Sequence, residues 1–342
     1  MPFLKDDEFF LHMDIAAAGD YDPLRYPLMP NKFYTHRTLD ELKSLREVGV
    51  QTTMPFQCIR KEIETSPGVY DWKYLDDYVN QAFKAEMKTI LFTTTCGYPD
   101  WLPDEYFVKC ADGVHREALS PWNDEAMCDD ITFTKKIMGR YSSKNCLIAN
   151  SQLSVGETIL LNIPAFYDDK AIQSFREFTD SEDSPEPNEG RTEAWLLDSY
   201  QKLLVRQQRV LATNQFKEIF VMLHPAIADM GFYGNGCKWI PDILGELRRQ
   251  IPGVTINHIY YTWIQWPQYW PIMNEFRERY KENVFGGAEY TEGLPVTAPI
   301  AIENGLRGQI VAPCYPGIHD HIEPWMLENL RVAQKQWEDS RK

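Results

Sequence analysis

The chain has 342 residues, 44% of them hydrophobic and 25% charged, which is the balance of a folded globular protein with ample material for a core. Thirty-five basic residues against fifty acidic ones leave a net charge of −15, so a nucleic-acid backbone or an anionic membrane surface is repelled over most of the molecule. Asp6, Asp7 and Glu8 stand where an export signal needs basic residues, and no run reaches the ~18 apolar residues of a membrane span.

Seven cysteines, widely scattered and without a CxxC pair, argue against a disulfide framework or a zinc knuckle. The expectation is a soluble, cytoplasmic chain with reduced thiols.

In chain order, apolar runs of strand length fall at Phe9–Ile15, Val48–Phe56, Lys88–Thr95, Cys146–Val155, Glu218–His224, Val254–Thr262, Asn283–Glu289 and Gln309–Cys314. Between them lie helix-patterned segments at Thr38–Val48, Lys73–Glu86, Asp129–Tyr141, Thr192–Thr213, Ile240–Gln250 and Tyr269–Tyr280, with a closing one at Pro324–Glu338. Thr38 and Glu41 have the spacing of a capping box, and Asp71 precedes the periodic Tyr74, Leu75, Tyr78 run. The strands are nearly continuous apolar runs, as parallel strands covered on both faces must be.

This α/β alternation of eight units predicts a single (β/α)8 TIM barrel spanning residues 1–342. A doubly wound sheet would also alternate, but no strand end carries a GxGxxG or GxxxxGK phosphate turn. One stretch breaks the rhythm. Within an insertion near 163–191, Asp180–Arg191 is acidic and rich in Pro and Ser, so it reads as an exposed loop on the rim.

In such a barrel the functional groups project from the C-terminal strand ends. Carboxylates and aromatics dominate there: Asp14 after strand one, Gln57 after strand two, Trp101 beyond strand three, His224 after strand five, Trp263 and Trp266 after strand six, and Tyr290 after strand seven. Two glutamates follow apolar strands directly, Glu157 after strand four and Glu289 after strand seven. Strands four and seven face each other across part of the mouth, and a carboxylate pair about 5–5.5 Å apart can cleave a glycosidic bond with retention. Either glutamate alone could equally be an ordinary ion-pair partner; their joint placement favours chemistry.

The stretch from Ser66 through Pro67, Gly68, Val69, Tyr70, Asp71 and Trp72, with Leu75 and Asp76 in the following helix and Tyr98 to Leu102 (Tyr-Pro-Asp-Trp-Leu) after strand three, resembles the retaining β-glycosidases of the (β/α)8 clan A. It is closest to the bacterial β-galactosidase branch, family 42, and the similarity continues through Asp112, Gly113, Ser120 and Pro121. The resemblance implies that Glu157 matches the acid/base and Glu289 the nucleophile. Gly156 departs from the family, which places an asparagine before the acid/base to hold the sugar 2-hydroxyl.

Stated chemically, Glu289 attacks the anomeric carbon while Glu157 protonates the leaving oxygen; once Glu289 is esterified, Glu157 loses its negative neighbour and serves as base for water. Substrate binding is expected from Asp14, Gln57, Trp101, His224, Trp263, Trp266 and Tyr290, with Trp122, Tyr269 and Trp270 as further aromatic candidates, because pyranose rings present flat C–H faces to aromatic side chains. No cofactor and no metal are expected. His319 and His321 form an HxH after strand eight, but the end of strand one offers Asp14 and no HxH, and no GxSxG elbow is present. The substrate class is an oligosaccharide or glycoconjugate; the alternative, which Gly156 invites, is a saccharide-binding barrel without turnover.

Overall fold

The computed structural model describes residues 9–15, 38–55, 60–92, 98–141, 146–150, 166–187, 189–199, 202, 218–223, 249, 255–260, 278, 284–288, 293–311 and 322–342. All eight expected strands are present: β1 Phe10–Ile15, β2 Thr52–Pro55, β3 Lys88–Phe92, β4 Cys146–Asn150, β5 Glu218–Leu223, β6 Thr255–Tyr260, β7 Val284–Ala288 and β8 Gly308–Val311. Each runs parallel to the next, and β8 returns to pair with β1 from Phe10↔Gly308 to Met13↔Val311. The sheet therefore closes into a barrel. Closure leaves no open edge and sends every strand's C-terminal end to the same face.

Helices pack outside this ring. Helix α1, Leu39–Glu47, starts in the expected capping box: Thr38 Oγ1 accepts from the Glu41 amide at 3.2 Å, and Glu41 Oε2 accepts from the Thr38 amide at 2.8 Å. Helix α2, Lys73–Lys84, buries Leu75, Tyr78, Val79 and Ala82, the i, i+3, i+4, i+7 face of a helix resting on a sheet. Helix α3, Asp124–Tyr141, begins five residues before the apolar periodicity suggests, because Asn123 Oδ1 accepts from the Glu125 and Ala126 amides and fixes an earlier start.

Helix α4, Asp169–Thr179, corrects the reading of the insertion as loop alone. Asp168 caps it by accepting from the Ala171 amide, and Ala171 and Phe175 are buried beneath it. The acidic stretch that follows is ordered by its own ions, Arg191 bridging Asp183 at 2.6 Å and Glu189 at 2.8 Å, before a helical segment over 190–199. Helices α5, Leu294–Glu303, and α6, Pro324–Ser340, complete the described outer layer.

The strand expected from Val48 begins only at Thr52, since Val48 caps α1 and Gly49, at φ 95°, turns the chain into β2. One apolar cluster joins both ends of the chain around β1: Leu11, Leu42 and Leu45 pack with Leu294, Ala298, Leu330 and Ala333. Each buried leucine there contributes roughly 1.5–3 kcal/mol. At the start of β1, Gln51 accepts from the Leu11 amide at 2.7 Å and donates to the Phe9 carbonyl at 2.9 Å, while Gln334 of α6 reaches the Phe9 and Gly49 carbonyls. A second cluster, of Ile63, Leu75, Leu91, Phe133 and Ile137, seats α2 and α3 against β3.

Candidate active site

Among the described residues, the C-terminal rim includes the segments after β2 and β3. Beyond β2 the chain makes a helical turn, Arg60–Ile63, and a two-stranded hairpin of Glu64–Ser66 and Val69–Tyr70, which is the form taken by the Pro-Gly segment of the sequence. Gly68 sits in its turn at φ 74°, where a side chain would be strained.

Arg60 is 2% exposed and organises this rim. Its Nε donates to Glu64 at 2.6 Å, and its two terminal nitrogens form a bidentate pair with Asp129 of α3. Its guanidinium lies 5.0 Å from the Phe133 ring centre and 5.6 Å from that of Trp101. Burial pulls the guanidinium pKa down, but hydrogen bonds and charge from Asp129 and Glu64 outweigh it, so the pKa is raised and the cation is held. The same Glu64 charge, added to burial, raises the Tyr70 phenol.

Trp101 is thereby fixed in orientation. One ring face meets Arg60, and its Nε1 donates to the Glu64 carbonyl at 3.4 Å. It lies half-buried in the segment after β3. Asp14 is the penultimate residue of β1, in register with Met54 of β2. Glu157, Glu289, Gln57, His224, Trp263, Trp266 and Tyr290 lie outside the described residues, as do Tyr269, Trp270, His319 and His321. Ala288 ends β7 one residue before Glu289, and Leu223 ends β5 one residue before His224.

The loop after β3 adds a second hairpin, Phe107–Lys109 against His115–Leu119, that no apolar run announced. From it Ser120 Oγ donates to Asp168 Oδ1 at 3.1 Å, tying the third loop to the α4 cap. Burial raises the Asp168 carboxyl above its ordinary range, although the bonds from Ala171 and Ser120 oppose this. Trp122, one of the further aromatic candidates, stacks on Trp195 with ring centres 4.7 Å apart and donates to Ser199 Oγ at 3.0 Å. Among the described residues no group of His, Cys, Asp and Glu is arranged to hold a metal ion, and no helix is long and apolar enough to cross a membrane.

The family model of the family 42 glycoside hydrolases, described as β-galactosidase, matches residues 27–179, which include the Arg60 cluster, both rim hairpins and Trp101. Over residues 27–179 the chain is similar to the family 42 glycoside hydrolases.

Solved structures agree on the barrel fold. The catalytic domain of a β-amylase from Paenibacillus polymyxa superposes with a TM-score of 0.62 at 13% identity, covering 96% of this chain and 99% of that one. A β-galactosidase from Bacillus circulans gives 0.61 at 12% identity, covering 97% of this chain and 56% of its own length. One from the haloarchaeon Halorubrum lacusprofundi gives 0.60 at 11%, covering 96% and 58%. The barrel thus spans little more than half the length of these β-galactosidases. No curated protein sequence matches the chain.

Proposed function

We propose that the protein hydrolyses a β-linked sugar in an oligosaccharide or glycoconjugate with retention, Glu289 acting as nucleophile and Glu157 as acid and then base. The observation that carries this reading is that the family 42 match, residues 27–179, includes Glu157, while Glu289 directly follows the last residue of β7 in a closed parallel barrel. In that setting Glu289 is to attack the anomeric carbon and form a glycosyl ester, and Glu157 is to give its proton to the departing oxygen and recover one from water.

Residues 1–342 are read as one catalytic domain. The aromatic side chains Trp101, Trp263, Trp266 and Tyr290 are assigned to the sugar faces, and Asp14, Gln57 and His224 to hydroxyl groups. The reaction needs no cofactor. The unpaired sequence pattern of the seven cysteines supports a reducing, cytoplasmic setting.

A panel of chromogenic β-glycosides tests the reading. The wild type is expected to release the chromophore from at least one member, Glu289→Ala to lose turnover, and azide to restore it as a glycosyl azide. Glu157→Ala is expected to lose about 10²–10⁴-fold on substrates with poor leaving groups and far less on activated ones. Gly156 supports a second reading, a barrel that binds saccharide without cleaving it: there the whole panel stays silent while oligosaccharide affinity survives in both variants.

A further inference from the structure

Taking a guanidinium and two carboxylates out of water is costly, and a well-packed apolar side chain could join the turn after β2 to α3 with no loss of stability. Arg60 is nevertheless buried there, with a buried Glu64 beside it. What a guanidinium supplies and an apolar chain does not is a rigid plane with directed donors.

That plane is held from its own segment and from α3. Its Nε donates to Glu64 Oε2 at 2.6 Å, its terminal nitrogens donate to Asp129, and the Phe133 ring centre lies 5.0 Å away. Glu64 is pinned in turn, since its Oε1 accepts from the Gly68 amide of the hairpin at 2.9 Å.

The Trp101 indole meets this assembly twice. Its ring centre lies 5.6 Å from the guanidinium of Arg60, and its Nε1 donates to the Glu64 carbonyl at 3.4 Å. An indole turns about two side-chain torsions, so one contact on its face and one at its edge together fix its orientation. Trp101 is only half-buried, which leaves part of the ring accessible. A side chain ordered in advance costs an incoming ligand no further ordering.

We propose that Arg60 is a positioning residue for sugar binding: with Glu64 it holds the Trp101 indole in the orientation that receives a pyranose face. The proposal rests on the assignment of Trp101 to a sugar face, and adds that the ring's orientation as well as its presence sets the affinity. Arg60 acts through Trp101 and touches no sugar itself.

A double-mutant cycle in the full chain tests it, with lactose, cellobiose and β-1,4-mannobiose as probes: KM and kcat where a probe is cleaved, calorimetric affinity where it is bound intact. Arg60→Lys keeps the charge and loses the plane, and is expected to raise KM or weaken affinity about threefold to tenfold with kcat little changed. Trp101→Ala is expected to weaken binding about tenfold. In the Trp101→Ala background, Arg60→Lys is expected to add less than about twofold, because the side chain through which it acts is gone. Glu64→Gln, which keeps the backbone carbonyl for Trp101 and an oxygen for Gly68, gives the same comparison in a chain that retains Arg60. Binding without turnover would count against hydrolysis alone and leave the cycle to be read in affinity. Equal effects of Arg60→Lys with and without Trp101, unchanged binding in Trp101→Ala, or a wild type that binds none of the three probes would overturn the proposal.

Discussion

Gly49 shows how one residue can hold the chain's two ends together. At φ 95° it turns the chain from α1 into β2, and a methyl group there would come within 2.7 Å of the Gln334 amide of α6. Gly49→Ala therefore pays both for a left-handed backbone and for displacing a side chain that bonds the Phe9 and Gly49 carbonyls. A loss of about 1–3 kcal/mol in urea unfolding is expected; unchanged stability would show that Gln334 moves aside without cost. Asp168 makes a prediction of opposite sign. Burial raises its carboxyl above the usual carboxylate range, so the folded state holds the proton more tightly than the unfolded chain. Stability from this group is full below the unfolded pKa and falls as pH rises through the ordinary carboxylate range toward the raised folded value. Unfolding at several pH values should show that component in the wild type and not in Asp168→Asn; identical pH profiles would contradict it.

Among the elements, the rim after β2 is a salt-bridged unit rather than a flexible loop. Arg60 is buried between Phe133 and Trp101 with Glu64 and Asp129 as counter-ions, so removing it leaves two carboxylates without their cation. Arg60→Ala is expected to lose roughly 3–5 kcal/mol, against a small loss for an exposed pair such as Lys202 with Asp198. Denaturant midpoints of the two variants measure the contrast. If Trp101 contacts sugar, Arg60→Lys should also raise KM more than it lowers kcat, because lysine cannot offer the planar face that fixes the indole. Sequence reading fared unevenly on these elements. The Thr38 capping box and the α2 stripe could be read because cap and periodicity agree. Helix α4 was missed because its buried positions, Ala171 and Phe175, are few and an acidic stretch follows; Asp168 before Ala171 was the available signal. Helix α5 was hidden by Pro295 and Pro299, the first of which belongs at a helix start. The burial of Arg60 leaves no local trace in the sequence, since it depends on partners 4 and 69 residues away.

At the scale of the whole molecule, the eight strands were legible because a barrel strand is buried on both faces and so leaves a nearly continuous apolar run, as Lys88–Phe92 and Glu218–Leu223 do. Their closure followed from number and parallel alternation, and the ring of eight parallel pairings bears it out. The proposed chemistry rests on less: Glu157 and Glu289 are marked in the sequence only by following strands four and seven, and they are more than a hundred residues apart. What joins them in the account is the retaining mechanism. That mechanism fixes the stereochemistry of the product, because two displacements at the anomeric carbon restore its configuration. The most direct measurement is proton NMR of the sugar released from a β-glycoside that the enzyme accepts, recorded before mutarotation. The account predicts the β-anomer first, converting slowly to the equilibrium mixture; the α-anomer appearing first would contradict the glycosyl-enzyme and the assignment of Glu289 as nucleophile.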